Sequence, residues 1–206
     1  MPLAPPWSRV AILLSAAMTA ALTVMVWHSH SVPEVDNWVQ LRVAAQGDRD
    51  LRLAQHVTRA LTAVTIAAAV ASVAYAYCVL RRVDAAGLAL LSPVITLVAE
   101  RGLKSIVARR APGSTVYHYP SGHVAVATTV VISVVLIGRS AMFRLSRRLG
   151  LSLAASVLLL FMIWSRMADT AHLFTDVVAG VVLGTAVTLL VALTLDRAGR
   201  VTADTV

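Results

Sequence analysis

The chain has 206 residues, of which 58% are hydrophobic and only 14% are charged. A soluble domain carries about 25% charged residues, and a chain of this length is too small to hide so much apolar surface inside one globule. The composition therefore excludes a soluble domain. Because each membrane helix takes about 20 apolar residues, the chain has room for up to six of them.

The charge is strongly basic, with 18 Lys and Arg against 10 Asp and Glu and a net charge of +8. The basic residues lie at the ends of apolar runs and in short connections, which is typical of membrane flanking and argues against nucleic acid as a partner. Lys104 is the only lysine among them. Cys78 is the only cysteine, so the chain can form neither an internal disulfide nor a thiolate metal cluster.

The apolar runs predict an all-α, polytopic membrane protein with six transmembrane helices in a bundle. The expected spans are, approximately, residues 10–27, 57–80, 85–103, 124–138, 149–164 and 177–195. We treat residues 1–206 as a single integral membrane domain. The first span is longer than the apolar core of a signal peptide, so we expect it to be retained, with cleavage as the alternative.

A polar segment, residues 28–56, separates the first two spans. Val35, Trp38, Val39 and Val43 recur in it at roughly helical spacing. This pattern predicts a short amphipathic helix at the membrane surface after the first span, with Trp38 at headgroup level. An ordinary loop helix is the alternative.

The orientation follows from the distribution of basic residues around the spans. With the N-terminus inside, the raw count is nine Lys and Arg on each side. The short fourth connection, residues 139–148, holds four of the arginines, and short loops are those that the positive-inside rule weighs most. We therefore expect both termini to be cytoplasmic.

Polar groups suited to phosphate chemistry occur in the third and fifth connections, which face the same side of a six-span bundle. In the third connection, Lys104, Arg109 and Arg110 precede Pro112. One guanidinium group can bind two phosphate oxygens at once, and an ammonium group adds a point charge. These cations, together with Arg166, predict a phosphate-binding cluster, although basic residues at span ends can also be simple membrane flanks.

The sequence Pro120-Ser121-Gly122-His123 stands at the start of the fourth span. Ser121 is a good N-cap and Gly122 allows close approach of the backbone, so the first amides of the helix can point at an anion. His123 would lie beside that anion and could donate a proton. Pro-Ser-Gly alone is a common turn.

The fifth connection contains Ser165 and Arg166, then His172 after five intervening residues and Asp176 after three more. If the segment is helical, His172 and Asp176 share one face. A carboxylate beside an imidazole orients the ring and raises the basicity of its free nitrogen, as a histidine nucleophile or base requires. A structural pair at a helix end is the alternative, which the membrane setting disfavours.

Taken in order, these three motifs resemble those of the type 2 phosphatidic acid phosphatase superfamily, which includes membrane lipid phosphatases and soluble vanadium haloperoxidases. The second and third motifs match the family pattern in full, and the resemblance runs from near Asp36 to the end of the chain, including the small-residue pair Gly180 and Gly184. The first motif departs from it, because Ala111 stands where the family has arginine before Pro112. Either Arg109 or Arg110 could take that arginine's role.

The resemblance implies hydrolysis of a phosphoester in two steps. In this scheme His172 attacks phosphorus, Asp176 orients it, and His123 protonates the leaving oxygen and then activates water. The resemblance also implies that the remaining cations and the groups around Ser121 and Gly122 stabilise the phosphate. No cofactor is expected, and the nearby carboxylates, Glu100, Asp169 and Asp176, do not make a usual zinc or magnesium set. We assign no role to Asp169 or His118.

The implied substrate is a lipid phosphate in the bilayer, since the motifs lie at span ends. We rank a polyprenyl diphosphate of the undecaprenyl or decaprenyl type first, phosphatidic acid or phosphatidylglycerol phosphate close behind, and a polyprenyl-phosphoryl sugar phosphate third. A lipid phosphotransferase and a non-catalytic phosphate-lipid-binding protein are the alternatives, and a soluble haloperoxidase is disfavoured. We expect a bacterial plasma-membrane protein with its active site on the outer face; the oligomeric state is left open.

Overall fold

Helices make up all the regular structure in the residues that the computed structural model describes, 2–28, 33–44, 48–109, 118–141, 143–169 and 172–204. The helices are α1 (Ser8–His28), α2 (Glu34–Ala44), α3 (Asp48–Ala74), α4 (Val83–Val107), α5 (Gly122–Ser140), α6 (Leu145–Ala168) and α7 (Phe174–Asp204). A π-helical turn, Tyr75–Val79, extends α3. Each of the seven α-helices except α2 contains a stretch long and apolar enough to cross a membrane, counting the π-helical turn with α3. This confirms the six-span, all-α prediction.

The helices extend beyond the apolar runs that predicted them. Lys104, expected in a connection, lies in the last turn of α4, and Ser165 and Arg166 lie in the last turns of α6. The hydrogen-bonded backbone does not stop where the side chains become polar, since Lys and Arg are themselves good helix formers. The first and third motifs are therefore partly carried by helix ends rather than by loops.

The short helix expected after the first span is α2. Trp38 is 57% exposed, and the guanidinium of Arg42 lies 4.3 Å from the centre of its ring. Asp36, in the first turn of the same helix, is completely buried. The helix contacts α6 and α7 through its inner face, so it is tied to the bundle as well as exposed.

The centre of the bundle is formed by α5 and α7. In the membrane-spanning stretches, 61% of the residues of α5 and 56% of those of α7 are buried, against 6% for α1 and 17% for α6. A Cβ on Gly180 would lie 2.7 Å from the carbonyl oxygen of Ser121, and a Cβ on Gly184 would lie 2.5 Å from that of Ala125. The two glycines therefore allow backbone contact between α5 and α7, as small residues do in membrane helix pairs, and this contact fixes the second motif against the third.

Candidate active site

A cavity of about 650 Å³ opens among the helix ends on the side of the bundle that carries the three motifs. Five of the predicted site residues line it: Lys104, Gly122, His123, Arg166 and His172. Apolar side chains of the spanning helices also line it, namely Ile66, Leu97, Val126 and Met162. The cavity is thus lined by both basic and apolar side chains.

His172 and Asp176 face each other at the start of α7. The Nδ1 atom of His172 lies 3.6 Å from Oδ2 of Asp176, slightly too long for a hydrogen bond, and it has no hydrogen-bond partner among the described residues. The same Oδ2 accepts a 3.0 Å hydrogen bond from the amide of Leu173. His172 precedes the first helical residue, Phe174, so the expected shared helix face is replaced by a bend that brings the ring back to the carboxylate.

The environment of His172 favours its neutral form. The residue is 8% exposed, and burial lowers its pKa below the usual histidine value. The positive charges of Arg166 and Lys104 act in the same direction, whereas Asp176 opposes them. A neutral imidazole with an available lone pair is the form that can attack an electrophile.

The second motif is bound directly to the third. The amide of Ser121 donates a 2.9 Å hydrogen bond to the carbonyl of Asp176, and the carbonyl of Ser121 accepts the first helical hydrogen bond of α5, from Ala125. Ser121 is the N-cap of α5, but its hydroxyl makes no capping bond and, within the described residues, has no hydrogen-bond partner. The first residues of α5, Gly122 and His123, line the cavity, so the N-terminus of this helix borders it. Ser121 is not among the described lining residues.

Three basic side chains line the cavity, those of Arg101, Lys104 and Arg166. The last two are each paired with a carboxylate three or four residues away in the chain. Lys104 Nζ lies 2.5 Å from Glu100 Oε1, and Arg166 Nη1 lies 2.5 Å from Asp169 Oδ2. The Nε atom of Arg166 is buried without a hydrogen-bond partner in the described part of the chain. The pairs fix the cations in place while leaving donor capacity for an anion.

Gly122 packs against the carboxylate that holds the lysine. A Cβ there would lie 2.7 Å from Glu100 Oε1. The sequence predicted that this glycine allows approach of a ligand, and the group that approaches it in the structure is Glu100. The glycine therefore lets α4 and the start of α5 meet at the cavity.

Arg109 occupies a different position from the one expected for a phosphate ligand. Its guanidinium donates to Thr175, Asp176 and Asp36, and the residues that line the cavity, among those described, do not include it. The other possible first-motif arginine, Arg110, lies outside the described residues, as do Ala111 and Pro112.

Several residues to which the sequence gave no role complete the site. Glu100 and Asp169 hold the cavity cations, and the ring of His118 lies edge-on to that of His172 with their centres 5.7 Å apart. The spacing of Glu100 four residues before Lys104, and of Asp169 three residues after Arg166, is the local signal that could have predicted these pairs. Asp36 had no such signal, because its partners are distant in sequence.

The acidic side chains near the cavity are engaged with Lys or Arg. Among the described residues, no group of three or more His, Cys, Asp or Glu side chains is arranged to hold a metal ion. The donors that line the cavity are ammonium, guanidinium and imidazole groups, which suit an anion with several oxygen atoms. Such donors at the ends of spanning helices suit a phosphate group at membrane depth.

Comparison with known proteins agrees with this class. The family model of the PAP2 superfamily matches residues 56–200. The chain belongs to the PAP2 superfamily, and it is a lipid phosphatase of the membrane-spanning kind. No curated protein sequence matches it.

The fold is similar to that of a solved membrane protein, the transmembrane PAP2-type phosphatidylglycerolphosphate phosphatase from Bacillus subtilis. The TM-score is 0.70 and the sequence identity is 20%, with 89% of this chain and 93% of that chain covered. The identity is low, so the likeness concerns the arrangement of the helices.

Proposed function

We propose that this protein removes phosphate from a membrane lipid without a metal ion, through a phosphohistidine formed on His172. The observation that carries the proposal is the cavity itself, which is lined by three histidines, three basic side chains and apolar side chains of the spanning helices. A lipid can place its phosphate among the basic side chains and its chain against the apolar ones.

In the first step, the free Nε2 of His172 attacks phosphorus while the bond to the leaving oxygen breaks. His123 donates the proton that the leaving oxygen needs. In the second step, a water molecule attacks phosphorus, the P–N bond breaks, and His123 takes the proton of the water. Asp176 keeps Nδ1 of His172 directed away from the substrate.

Lys104, Arg166 and the first amides of α5, near Ser121 and Gly122, stabilise the transferred phosphoryl group. The two side chains are fixed before the substrate arrives by their pairs with Glu100 and Asp169, and the amides are fixed by the helix. Fixed donors of this kind cost no reorganisation during the reaction and contribute strongly to catalysis.

Among substrates we propose a polyprenyl diphosphate first and phosphatidic acid or phosphatidylglycerol phosphate next. The Bacillus subtilis protein of similar fold is a phosphatidylglycerolphosphate phosphatase, which favours including that lipid in any panel. We further propose that the termini are cytoplasmic and that the site faces the outer side of a bacterial plasma membrane.

The test is phosphate release by the purified full-length protein in detergent micelles, with EDTA present, from a panel of these lipid phosphates. We expect turnover of at least one lipid, and its loss in His172→Ala. His56→Ala is the matched control, because His56 is exposed on α3 and its ring bonds to the carbonyl of Arg52.

The outcomes separate the alternatives. Full activity of His172→Ala would show that His172 is not the nucleophile. Transfer of phosphate to an added acceptor lipid, in place of release, would identify a phosphotransferase. Binding of lipid phosphates without turnover of any of them would favour a non-catalytic role.

A further inference from the structure

We propose that Arg109 is a positioning residue that fixes the carboxylate of Asp176 behind His172, and that Asp36 and Thr175 hold Arg109 for this purpose. This inference rests on the proposed function, since it concerns the partner of the proposed nucleophile. It differs from the role that the first motif suggested for Arg109, which was direct binding of the phosphate.

The guanidinium of Arg109 bridges two buried carboxylates. Its Nη1 lies 3.1 Å from Oδ1 of Asp176 and 2.8 Å from the hydroxyl of Thr175. Its Nη2 lies 2.9 Å from Oδ2 of Asp36. Both carboxylates are completely buried and the arginine side chain is 12% exposed. Removing one partner from such a group leaves an uncompensated buried charge.

Asp36 joins this cluster to the start of α7. Its Oδ1 accepts a 2.8 Å hydrogen bond from the amide of Thr175, and its Oδ2 accepts one of 2.7 Å from the Thr175 hydroxyl. The hydroxyl therefore donates to Asp36 while it accepts from Arg109. Through Asp36, helix α2 caps the first turn of α7, where free amides and the helix dipole favour an anion.

The two oxygens of Asp176 consequently have separate tasks. Oδ1 faces Arg109, whereas Oδ2 faces Nδ1 of His172 and accepts from the amide of Leu173. A carboxylate held at both oxygens cannot rotate away from the imidazole. The arginine therefore fixes the geometry of His172 without touching the substrate.

The same contacts leave Arg109 poorly suited to bind phosphate. Its two terminal nitrogens already donate to Asp176, Thr175 and Asp36, which uses three of the five N–H donors of the guanidinium. Among the described residues, the cavity lining contains Lys104 and Arg166 but not Arg109. The residue directly before Pro112 is Ala111, whose side chain carries no charge.

The experiment compares Arg109→Lys and Thr175→Val with Arg166→Lys in the full-length protein. All three variants keep the net charge. We measure kcat and KM on the lipid phosphate that the wild type turns over, and the affinity and stoichiometry of inorganic phosphate by titration calorimetry. Thr194→Val is the control for the threonine, because Thr194 is exposed on α7 and bonds to the carbonyl of Leu190.

We expect Arg109→Lys and Thr175→Val to lower kcat by about 10- to 100-fold, the scale of a misplaced catalytic group, with phosphate affinity within about twofold of the wild type. A binding stoichiometry near that of the wild type then excludes unfolding as the cause. Arg166→Lys should weaken phosphate binding by about tenfold or more, because a lysine cannot make the paired contacts of a guanidinium.

The inference is overturned if Arg109→Lys weakens phosphate binding as Arg166→Lys does, or if kcat is unchanged in both Arg109→Lys and Thr175→Val. If Arg109→Lys loses stoichiometry through misfolding, the milder Thr175→Val decides by the same criteria. If the wild type turns over no lipid phosphate, the proposed function fails, and the phosphate titration of Arg109→Lys still decides whether this arginine is a phosphate ligand.

Discussion

At Gly184 the backbone of α7 packs directly against that of α5, and a single methyl group there should disturb both stability and catalysis. In Gly184→Ala the new Cβ would lie 2.5 Å from the carbonyl oxygen of Ala125 and 3.0 Å from Cβ of Thr128. A backbone oxygen cannot rotate away as the end of a side chain can. The two helices must therefore move apart.

The required movement can be read from the distances. Ordinary contact begins at 3.4 Å, so the helices must separate locally by about 0.9 Å. Overpacking of this kind costs about 1–3 kcal/mol, against which alanine regains up to about 1 kcal/mol of helix propensity. Ala125 lies two residues after His123, and a shift of about 1 Å in a catalytic group can reduce the rate by about 100-fold.

The assay pairs thermal unfolding in detergent with kcat on the preferred lipid phosphate. Gly150→Ala is the matched control, because a Cβ at this helical glycine in α6 would meet nothing within 4 Å. We expect Gly184→Ala to lose about 1–2 kcal/mol of stability and about 10- to 100-fold in kcat, and Gly150→Ala to lose neither. Equal behaviour of the two variants would refute the close-contact argument.

Two further outcomes follow from the charges at the site. As the proposed nucleophile, His172 must be neutral to attack, and burial lowers its pKa below the ordinary value of 6.5. The kcat at saturating substrate should therefore persist as the pH falls through 6.5 and decline only in more acid solution. A loss of kcat that begins above pH 6.5 would contradict this. Asp169→Asn should raise KM by about tenfold by releasing Arg166, whereas Asp84→Asn, which breaks a pair with Arg82 at the opposite bundle end, should not. Equal KM values for both variants would show that Asp169 does not position Arg166.

Much of the fold was predictable from local sequence. Six apolar runs predicted six spanning helices, because a helix in a bilayer must be apolar over about 20 residues wherever it lies in the chain. Because successive connections lie on opposite sides of the membrane, the sequence also predicted that the motifs around Lys104, His123 and His172 share one side. The helix ends were less well predicted, since Lys104 and Arg166 continue helices past the apolar limit.

The pairing of the charged groups was decided by the tertiary structure. Arg109 and Asp36 are 73 residues apart, and Asp36 and Thr175 are 139 apart. Whether such groups meet depends on how closely the helices pack, and that distance is set at α5 and α7 by Gly180 and Gly184. By itself the sequence determined which residues stand at the membrane surface, because hydrophobicity is a local property. Only the packed bundle decided that Lys104 and Arg166 border the cavity while Arg109 lies behind Asp176, because burial of charge requires partners that the rest of the fold must supply.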